Sequence, residues 1–367
     1  MKVAIVSSGL GNVRRGFEIF ADELFEHLKT EIDVTLFKGG GEPGENKIVI
    51  PNIPRNSALL GGKNSSLDYW TRCKIEQTTF SVFLLYHLIR GRFDTVHVMD
   101  PSVYAVLHRV KKTFKKIPAM IVTNGGPFSL NRVSKFEFIH QVTSYYYNQA
   151  KQAGIEEQKM ELIPYPVETS LFNSGVNQNF RARHGIPKDA YMIISVGAVN
   201  KSHKRMDWII KETAKLTGQP FLLIVGEEDS ETPDIMSLAR EKLSDSIKFL
   251  TLDHRDLAEA YSAADMFILA STIEGFGIVF LEAMASGLPI IAHDHPNQRW
   301  ILGDAGVFVD MIVECELSNK ISEFIADKEK GLRLGEKGRL RAENVFSWNV
   351  LVQKYIGLHE KVIGGKV

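Results

Sequence analysis

Two cysteines in 367 residues, Cys73 and Cys315, are too few and too far apart for a disulfide scaffold, a CxxC redox pair or a zinc knuckle. An excess charge of one sign is also missing. The 44 basic and 44 acidic residues cancel, so the chain lacks the basic surplus with which nucleic-acid binders neutralise phosphates, and no nucleic-acid partner is expected. No apolar run approaches the roughly 18 residues of a membrane span. The start, MKVAIVSSGLGN, offers only Val3 to Val6 as an apolar stretch. That is too short for a signal-peptide core, so a cytoplasmic chain is expected. There is no DxD-like triplet and no His/Cys set at metal-ligand spacing, so neither a metal nor another cofactor is expected.

What remains is an ordinary globular composition, 44% hydrophobic and 24% charged, with length enough for two domains. Short apolar runs alternate with amphipathic segments. Val3–Val6, Val34–Phe37, Thr95–Val98 and Ala119–Val122 predict strands. Helices are predicted over about 15–29, 68–90 and 102–113, with helical material continuing to about 150; segment 39–66, rich in Gly, Pro, Asn and Ser, reads as a long loop. Pro164, Pro166 and the polar stretch Asn173 to Asn179 interrupt the pattern. Strands are then predicted at 191–196, 221–225, 247–250, 266–269 and 289–292, between helices near 205–216, 233–243, 255–263, 276–286, 313–327 and 330–344. A last helix is predicted over about 348–362, behind the N-cap candidate Ser347. Two such series imply two α/β, doubly wound, Rossmann-like domains whose parallel sheets are covered on both faces. The domains are expected at 1–168 and 169–347. Ligands are expected outside the carboxyl ends of the strands, in a cleft between the domains.

The most informative stretch is Glu274-Gly-Phe-Gly-Ile-Val-Phe-Leu-Glu282-Ala-Met-Ala-Ser-Gly287-Leu-Pro289. A strand ends near Leu269, and a helix opens at Phe276 or Gly277. Its free amides and dipole make an anion site, and Gly275 and Gly277 admit a phosphate close to the backbone. Glu282 lies eight residues beyond Glu274, on the order of 12 Å along a helix. One carboxylate can thus meet a sugar on one side of a diphosphate and the other a ribose on the far side. Read singly, Glu274 is a loop acid and Glu282 a solvated helix residue. Glu282, however, sits among Phe280, Leu281, Ala283, Met284 and Ala285, where a carboxylate needs a partner. A second stretch, Gly197-Ala-Val-Asn-Lys-Ser-His-Lys204-Arg205-Met-Asp207, places Lys204 and Arg205 after a strand and before a helix. They are either a solvated basic loop or two cations for a leaving diphosphate.

These two stretches resemble the retaining glycosyltransferases of family 4, whose signature is EGFG…EAMASGxP. The resemblance implies the GT-B fold: two facing Rossmann-like domains, with the C-terminal helix, about 348–367, crossing back to the first. It implies transfer of a hexosyl group, with retention and without a metal, from a nucleoside-diphosphate sugar to a hydroxyl of a glycan, lipid-linked or small-molecule acceptor, as in carbohydrate biosynthesis. By the resemblance, Glu274 meets the donor sugar and Glu282 the ribose. The backbone at Gly275, Phe276 and Gly277, with Gly197, faces the donor, and Lys204 takes the phosphates. The family's usual Arg after the strand-end glycine is Ala198 here, which leaves Arg205, Lys201 or His203 to substitute. Ile163-Pro-Tyr-Pro-Val-Glu168, the segment Asp253–Asp265 with Tyr261, and Phe346-Ser-Trp348 resemble further family elements.

In the first domain, Arg15-Gly16-Phe-Glu18 is similar to the family's RGxE element, and the loop with Gly11 precedes it. Gly11 is expected beside the donor phosphates, and Gly16 and Glu18 toward the acceptor. A dinucleotide fingerprint at Gly9-Leu-Gly11 is disfavoured by Arg14, which stands where the third glycine belongs. Asn124, before Gly125-Gly126, either contacts acceptor or donor sugar or simply forms a turn. His97 reads as a core histidine and Asp100 as an N-cap. Arg109, Lys111, Lys112, Lys115 and Lys116 alternate with apolar residues over 102–117. That stretch either packs its apolar face on the sheet or rests on the inner face of a membrane. The rival functions are a GT-B-fold epimerase or phosphorylase, a nicotinamide enzyme, and a non-catalytic sugar-nucleotide-binding protein.

Overall fold

The computed structural model describes residues 1–13, 15–62, 66–173, 175 and 179–365. Arg14 and parts of the 39–66 and 173–179 segments lie outside the described residues. The chain divides into two compact units, Met1–Pro164 with Leu351–Val367, and Tyr165–Val350.

The first unit holds seven strands: β1 (Lys2–Ser7), β2 (Asp33–Lys38), β3 (Lys47–Val49), β4 (Thr95–Val98), β5 (Ala119–Asn124), β6 (Phe138–Gln141) and β7 (Met160–Leu162). They form one parallel sheet in the order β3-β2-β1-β4-β5-β6-β7. Val6 of β1 lies opposite Phe37 of β2 on one side and Val98 of β4 on the other, so the order switches direction at β1. The helix Gly16–Leu28 buries Phe20, Ala21, Leu24, Phe25 and Leu28, the stripe its spacing predicts. The final helix, Trp348–Gly364, contributes its last turns to this unit. The Tyr355 hydroxyl donates to the Pro164 carbonyl at 2.9 Å, and His359 Nδ1 meets Thr95 Oγ1 at 2.9 Å.

In the first unit β3, β6 and β7 were not expected. The span expected to be helical up to residue 150 contains the short helix Leu130–Val133, strand β6 and the helix Ser144–Gln152. β6 has no apolar run because His140 and Gln141 are buried by hydrogen bonding: His140 to Thr123 Oγ1 and the Ile163 carbonyl, Gln141 to the Asn124 amide. The long loop contains β3, a half-buried edge strand of three residues. In the helix Pro101–Lys111, the apolar residues Val103, Tyr104 and Leu107 are core. Of the stripe expected either to pack on the sheet or to face a membrane, Leu107 and Ile117 are buried. Phe114 stays exposed among Lys112, Lys115 and Lys116. Among the described residues, no helix is long and apolar enough to cross a membrane.

The second unit holds β8 (Met192–Val196), β9 (Phe221–Val225), β10 (Ile247–Leu250), β11 (Met266–Leu269), β12 (Ile290–His293) and β13 (Gly306–Val309), all parallel, in the order β10-β9-β8-β11-β12-β13. Its order switches between β8 and β11, which directs attention to the loops leaving those two strands. The strand β13 and the helix Pro296–Leu302 were not expected; they begin at Gly306 and Pro296, which read as breakers.

Candidate functional site

At the carboxyl end of β8 the chain turns through Gly197, whose φ of +150° a side chain rarely adopts. A Cβ there would sit 3.0–3.1 Å from Cγ, Cδ and Cε of Lys204, so the glycine is the floor on which the lysine stem lies. The loop that follows is fastened along its length. Asn200 Oδ1 accepts from the Lys204 amide at 2.7 Å and the His203 amide at 3.2 Å, and its Nδ2 donates to Asp229 at 2.9 Å. Glu231 accepts from the Lys201 and Ser202 amides at 2.7 and 2.9 Å. The result is a fixed presentation of Lys204, whose Nζ bonds Glu274 Oε1 at 2.5 Å.

Glu274 comes from the loop after β11 and is 5% exposed. Burial by itself raises its pKa. Lys204 foremost, then His203 at 3.9 Å and Ser271, outweigh it and hold the carboxyl below its ordinary value. The loop backbone is held by the fully buried Asn297, whose Nδ2 donates to the carbonyls of Glu274 and Gly275 at 3.0 and 3.2 Å. The helix Ile278–Ala285 then starts at Gly277, φ +85°, with its first amides outside the helical ladder. A Cβ at Gly277 would lie 2.8 Å from the Phe280 ring. Glu282, four residues into that helix, is 4% exposed. Its Oε2 accepts from the Tyr261 hydroxyl at 2.9 Å, and its Oε1 faces His254 Nε2 at 3.9 Å. Tyr261 is fully buried, and burial together with the Glu282 charge keeps its phenol far above its ordinary pKa. The partner that the apolar surroundings of Glu282 require is thus Tyr261.

Lys204, Glu274, Gly197, Gly275 and Gly277 are therefore gathered at the carboxyl ends of β8 and β11, with Glu282 further along the helix. Of the expected residues, Phe276 offers only its backbone and Arg205 is placed differently. The Phe276 ring is core, 2% exposed, packed against Tyr165 at 5.2 Å and Phe346 at 6.3 Å; only its backbone can serve a ligand. Arg205 donates to the Met311 carbonyl at 2.6 Å and lies over the Trp208 ring, so its charge is committed away from the Lys204–Glu274 pair. Asn200 and Asn297 were missed, because a lone asparagine, in a loop or in a helix's first turn, carries no sequence signal for an anchoring role.

The first unit has its own polar centre at the carboxyl ends of β1 and β4. Glu18, in the first turn of its helix, is 6% exposed; its Oε1 lies 3.9 Å from the Arg55 guanidinium, and its Oε2 has no hydrogen-bond partner. Burial pushes its pKa up to about 7, with Arg55 opposing and Asp100 reinforcing the shift. A Cβ at Gly9 would fall 2.3 Å from Glu18 Oε1, so the β1 loop covers this carboxylate closely. Arg55 is clamped by Glu76, through its amide at 3.1 Å and its Nε at 2.5 Å, and donates to the Tyr69 hydroxyl at 2.8 Å. Asp100 accepts from the Ser8 amide at 2.7 Å and from Gln77, and so ties β4 to the β1 loop instead of capping its own helix. Gly11, φ +86°, lets the backbone approach Gly40: a Cβ would meet the Gly40 oxygen at 2.1 Å. Gly16 opens the helix behind Arg15. Asn124 is 2% exposed and bonded to Gln141, so it is a core tie between β5 and β6 with an unbonded Oδ1. His97 is core as expected, bonded to Thr123. Arg55, Glu76 and Tyr69 escaped the sequence reading because the fold, not spacing, brings them together.

No group of three or more His, Cys, Asp or Glu among the described residues is arranged to hold a metal ion.

Residues 176–341 match the family model of glycosyl transferases, group 1. The stretch contains the whole of the site built above in the second unit. Among curated proteins, the D-inositol 3-phosphate glycosyltransferase of Mycolicibacterium smegmatis is 30% identical over 217 residues, 57% of this chain and 49% of that protein. The chain spans about half the length of such curated relatives. Among solved structures, the sucrose-phosphate synthase of Thermosynechococcus elongatus superposes with a TM-score of 0.82 at 21% identity over 100% of both chains. HepE of Anabaena, solved in complex with UDP and glucose, gives 0.77 at 17% identity, over 97% of this chain and 98% of its own. The fold is GT-B.

Proposed function

We propose that this chain is a retaining, metal-independent hexosyltransferase that uses a nucleoside-diphosphate sugar. The observation that carries the reading is the Lys204–Glu274 pair, a part-buried bond to a buried carboxylate at the carboxyl ends of β8 and β11, inside the stretch that matches the group 1 model. Lys204 meets the diphosphate, and its departure from Glu274 leaves a carboxylate able to accept from vicinal sugar hydroxyls. The first amides of the Ile278–Ala285 helix add partial positive charge on the phosphates. Glu282 accepts from the ribose while Tyr261 keeps it oriented. In the reaction the bond from the anomeric carbon to the diphosphate oxygen breaks, and the electron pair leaves with the phosphate. The acceptor oxygen bonds the same carbon on the same face, and its proton passes to the departing phosphate. Catalysis then rests on position and charge. Glu18 and its surroundings lie on the acceptor side in this reading, and the acceptor is a glycan, a lipid-linked sugar or a small molecule. HepE was captured with UDP, which makes UDP-sugars the first donors to try.

The test is a thermal-shift panel of UDP, GDP, ADP, CDP and dTDP, their sugar conjugates, and NAD. A ligand at about 100 times its Kd stabilises by about 2.7 kcal/mol. A shift with one nucleoside diphosphate, lost in Glu282→Ala, is the expected result. No shift with any of them, or a shift with NAD alone, overturns the reading. Incubating the donor without acceptor, or with phosphate, separates a transferase from an epimerase or a phosphorylase.

A further inference from the structure

A nucleotide-sugar diphosphate carries two negative charges, and Lys204 supplies one positive charge that Glu274 already shares. Three other basic residues, Lys201, His203 and Arg205, lie on the same loop. Lys201 Nζ is bonded to Asp234 at 3.0 Å. Arg205 is held by the Met311 carbonyl and the Trp208 ring. His203 is different. Its Nε2 lies 3.9 Å from Glu274 Oε1, the very oxygen that Lys204 bonds, and its side chain is 54% exposed. The amides of His203 and Lys204 share one anchor, Asn200 Oδ1, so ring and amine are presented side by side.

We infer that His203 is the second cation of the diphosphate site, a binding residue that takes up a proton and donates to a phosphate oxygen beside Lys204 when the donor arrives. This rests on the donor reading above. The charged groups around His203 are Lys204 and Lys201 on its own loop, Glu274 from the loop after β11, and Glu231 and Asp234, which hold Lys201. In the ligand-free protein, burial and the Lys204 charge keep the imidazole below its ordinary value, outweighing Glu274 and the bond to the Ile273 backbone. The ring is then neutral at pH 7. A bound diphosphate reverses that balance. Binding and protonation are linked, so affinity rises as pH falls.

The experiment is calorimetric titration with UDP-glucose, whose diphosphate diester has no group that titrates between pH 5.5 and 8. It is run at both pH values and in two buffers of different ionisation enthalpy. The wild type should bind about tenfold more tightly at pH 5.5 and show proton uptake, as expected for a gained charge-assisted hydrogen bond. His203→Asn should lose both effects. His203→Arg should bind tightly at both pH values. Lys204→Ala should weaken binding at both. If His203→Asn keeps the wild-type pH dependence and proton uptake while Lys204→Ala weakens binding, the assignment to His203 is overturned and the donor reading stands. If the wild type binds no nucleoside diphosphate or sugar conjugate of the UDP, GDP, ADP, CDP and dTDP panel, the donor reading falls and takes this inference with it.

Discussion

Replacing Lys204 by Met separates the charge of this residue from its packing. Methionine keeps an unbranched stem on the Gly197 floor, where the lysine methylenes now lie, and removes only the ammonium. Glu274, 5% exposed, is then left buried with His203 at 3.9 Å as its nearest basic group. Breaking a buried pair from one side costs about 3–5 kcal/mol, because the remaining charge is uncompensated. Lys204 is 14% exposed at the side chain, so water partly screens the pair and the lower end, about 3 kcal/mol, is expected at pH 7.5. The pH dependence follows from the sign of each shift. In the wild type Glu274 is held below 4.5, so its contribution is present above that pH and fades as pH falls through the folded value. In the variant burial dominates and pushes the carboxyl up, so stability declines as pH rises through 4.5. The two stability curves therefore converge in acid and diverge toward neutrality. Adding Glu274→Gln to Lys204→Met should recover about 2 kcal/mol at pH 7.5, since a neutral amide needs no counter-charge. The assay is urea unfolding followed by tryptophan fluorescence at pH 4 and 7.5. A cost below about 1 kcal/mol that is equal at both pH values, with strictly additive double-variant behaviour, would mean that the pair acts as a solvated surface contact, and the argument from burial fails.

Three further outcomes are expected. Glu18→Gln should gain stability relative to wild type as pH rises, by about 3 kcal/mol between pH 4 and 8. The folded carboxyl titrates near 7 against 4.5 unfolded, so deprotonation penalises the wild type across that window; parallel curves from chemical denaturation would refute it. Gly11→Ala should lower stability by about 1–3 kcal/mol through its positive φ and the Gly40 oxygen in its path, read as a drop in Tm. Tyr261→Phe should cost about 1–3 kcal/mol and weaken nucleotide binding, because Glu282 Oε2 loses its 2.9 Å donor; unchanged Kd and Tm would show that the phenol neither supports nor orients the carboxylate.

The second unit was more legible in the sequence than the first, and the cause is locality. Glu274, Gly275, Gly277 and Glu282 belong to one strand–loop–helix passage, in which each residue type answers a need set by its near neighbours. Gly277 must turn left-handed under Phe280, and Glu282 must find a donor inside an apolar helix. The polar centre of the first unit has no such passage. Glu18, Arg55, Glu76 and Asp100 come from a helix start, a loop, a second helix and a strand end, and they meet only because β1, β2 and β4 pair in register. β6 escaped for a related reason: His140 and Gln141 look like solvent-facing residues until Thr123, Asn124 and Ile163 supply their bonds. The same distinction governs the basic loop. Spacing put Lys204 and Arg205 in one basic loop, but which charge faces Glu274 is decided by carbonyls and carboxylates far away in sequence, Met311 for Arg205 and Asp234 for Lys201. In this loop Lys204 and His203 face Glu274 Oε1, at 2.5 and 3.9 Å, while Lys201 and Arg205 are held elsewhere, a distinction that the order of the residues does not contain.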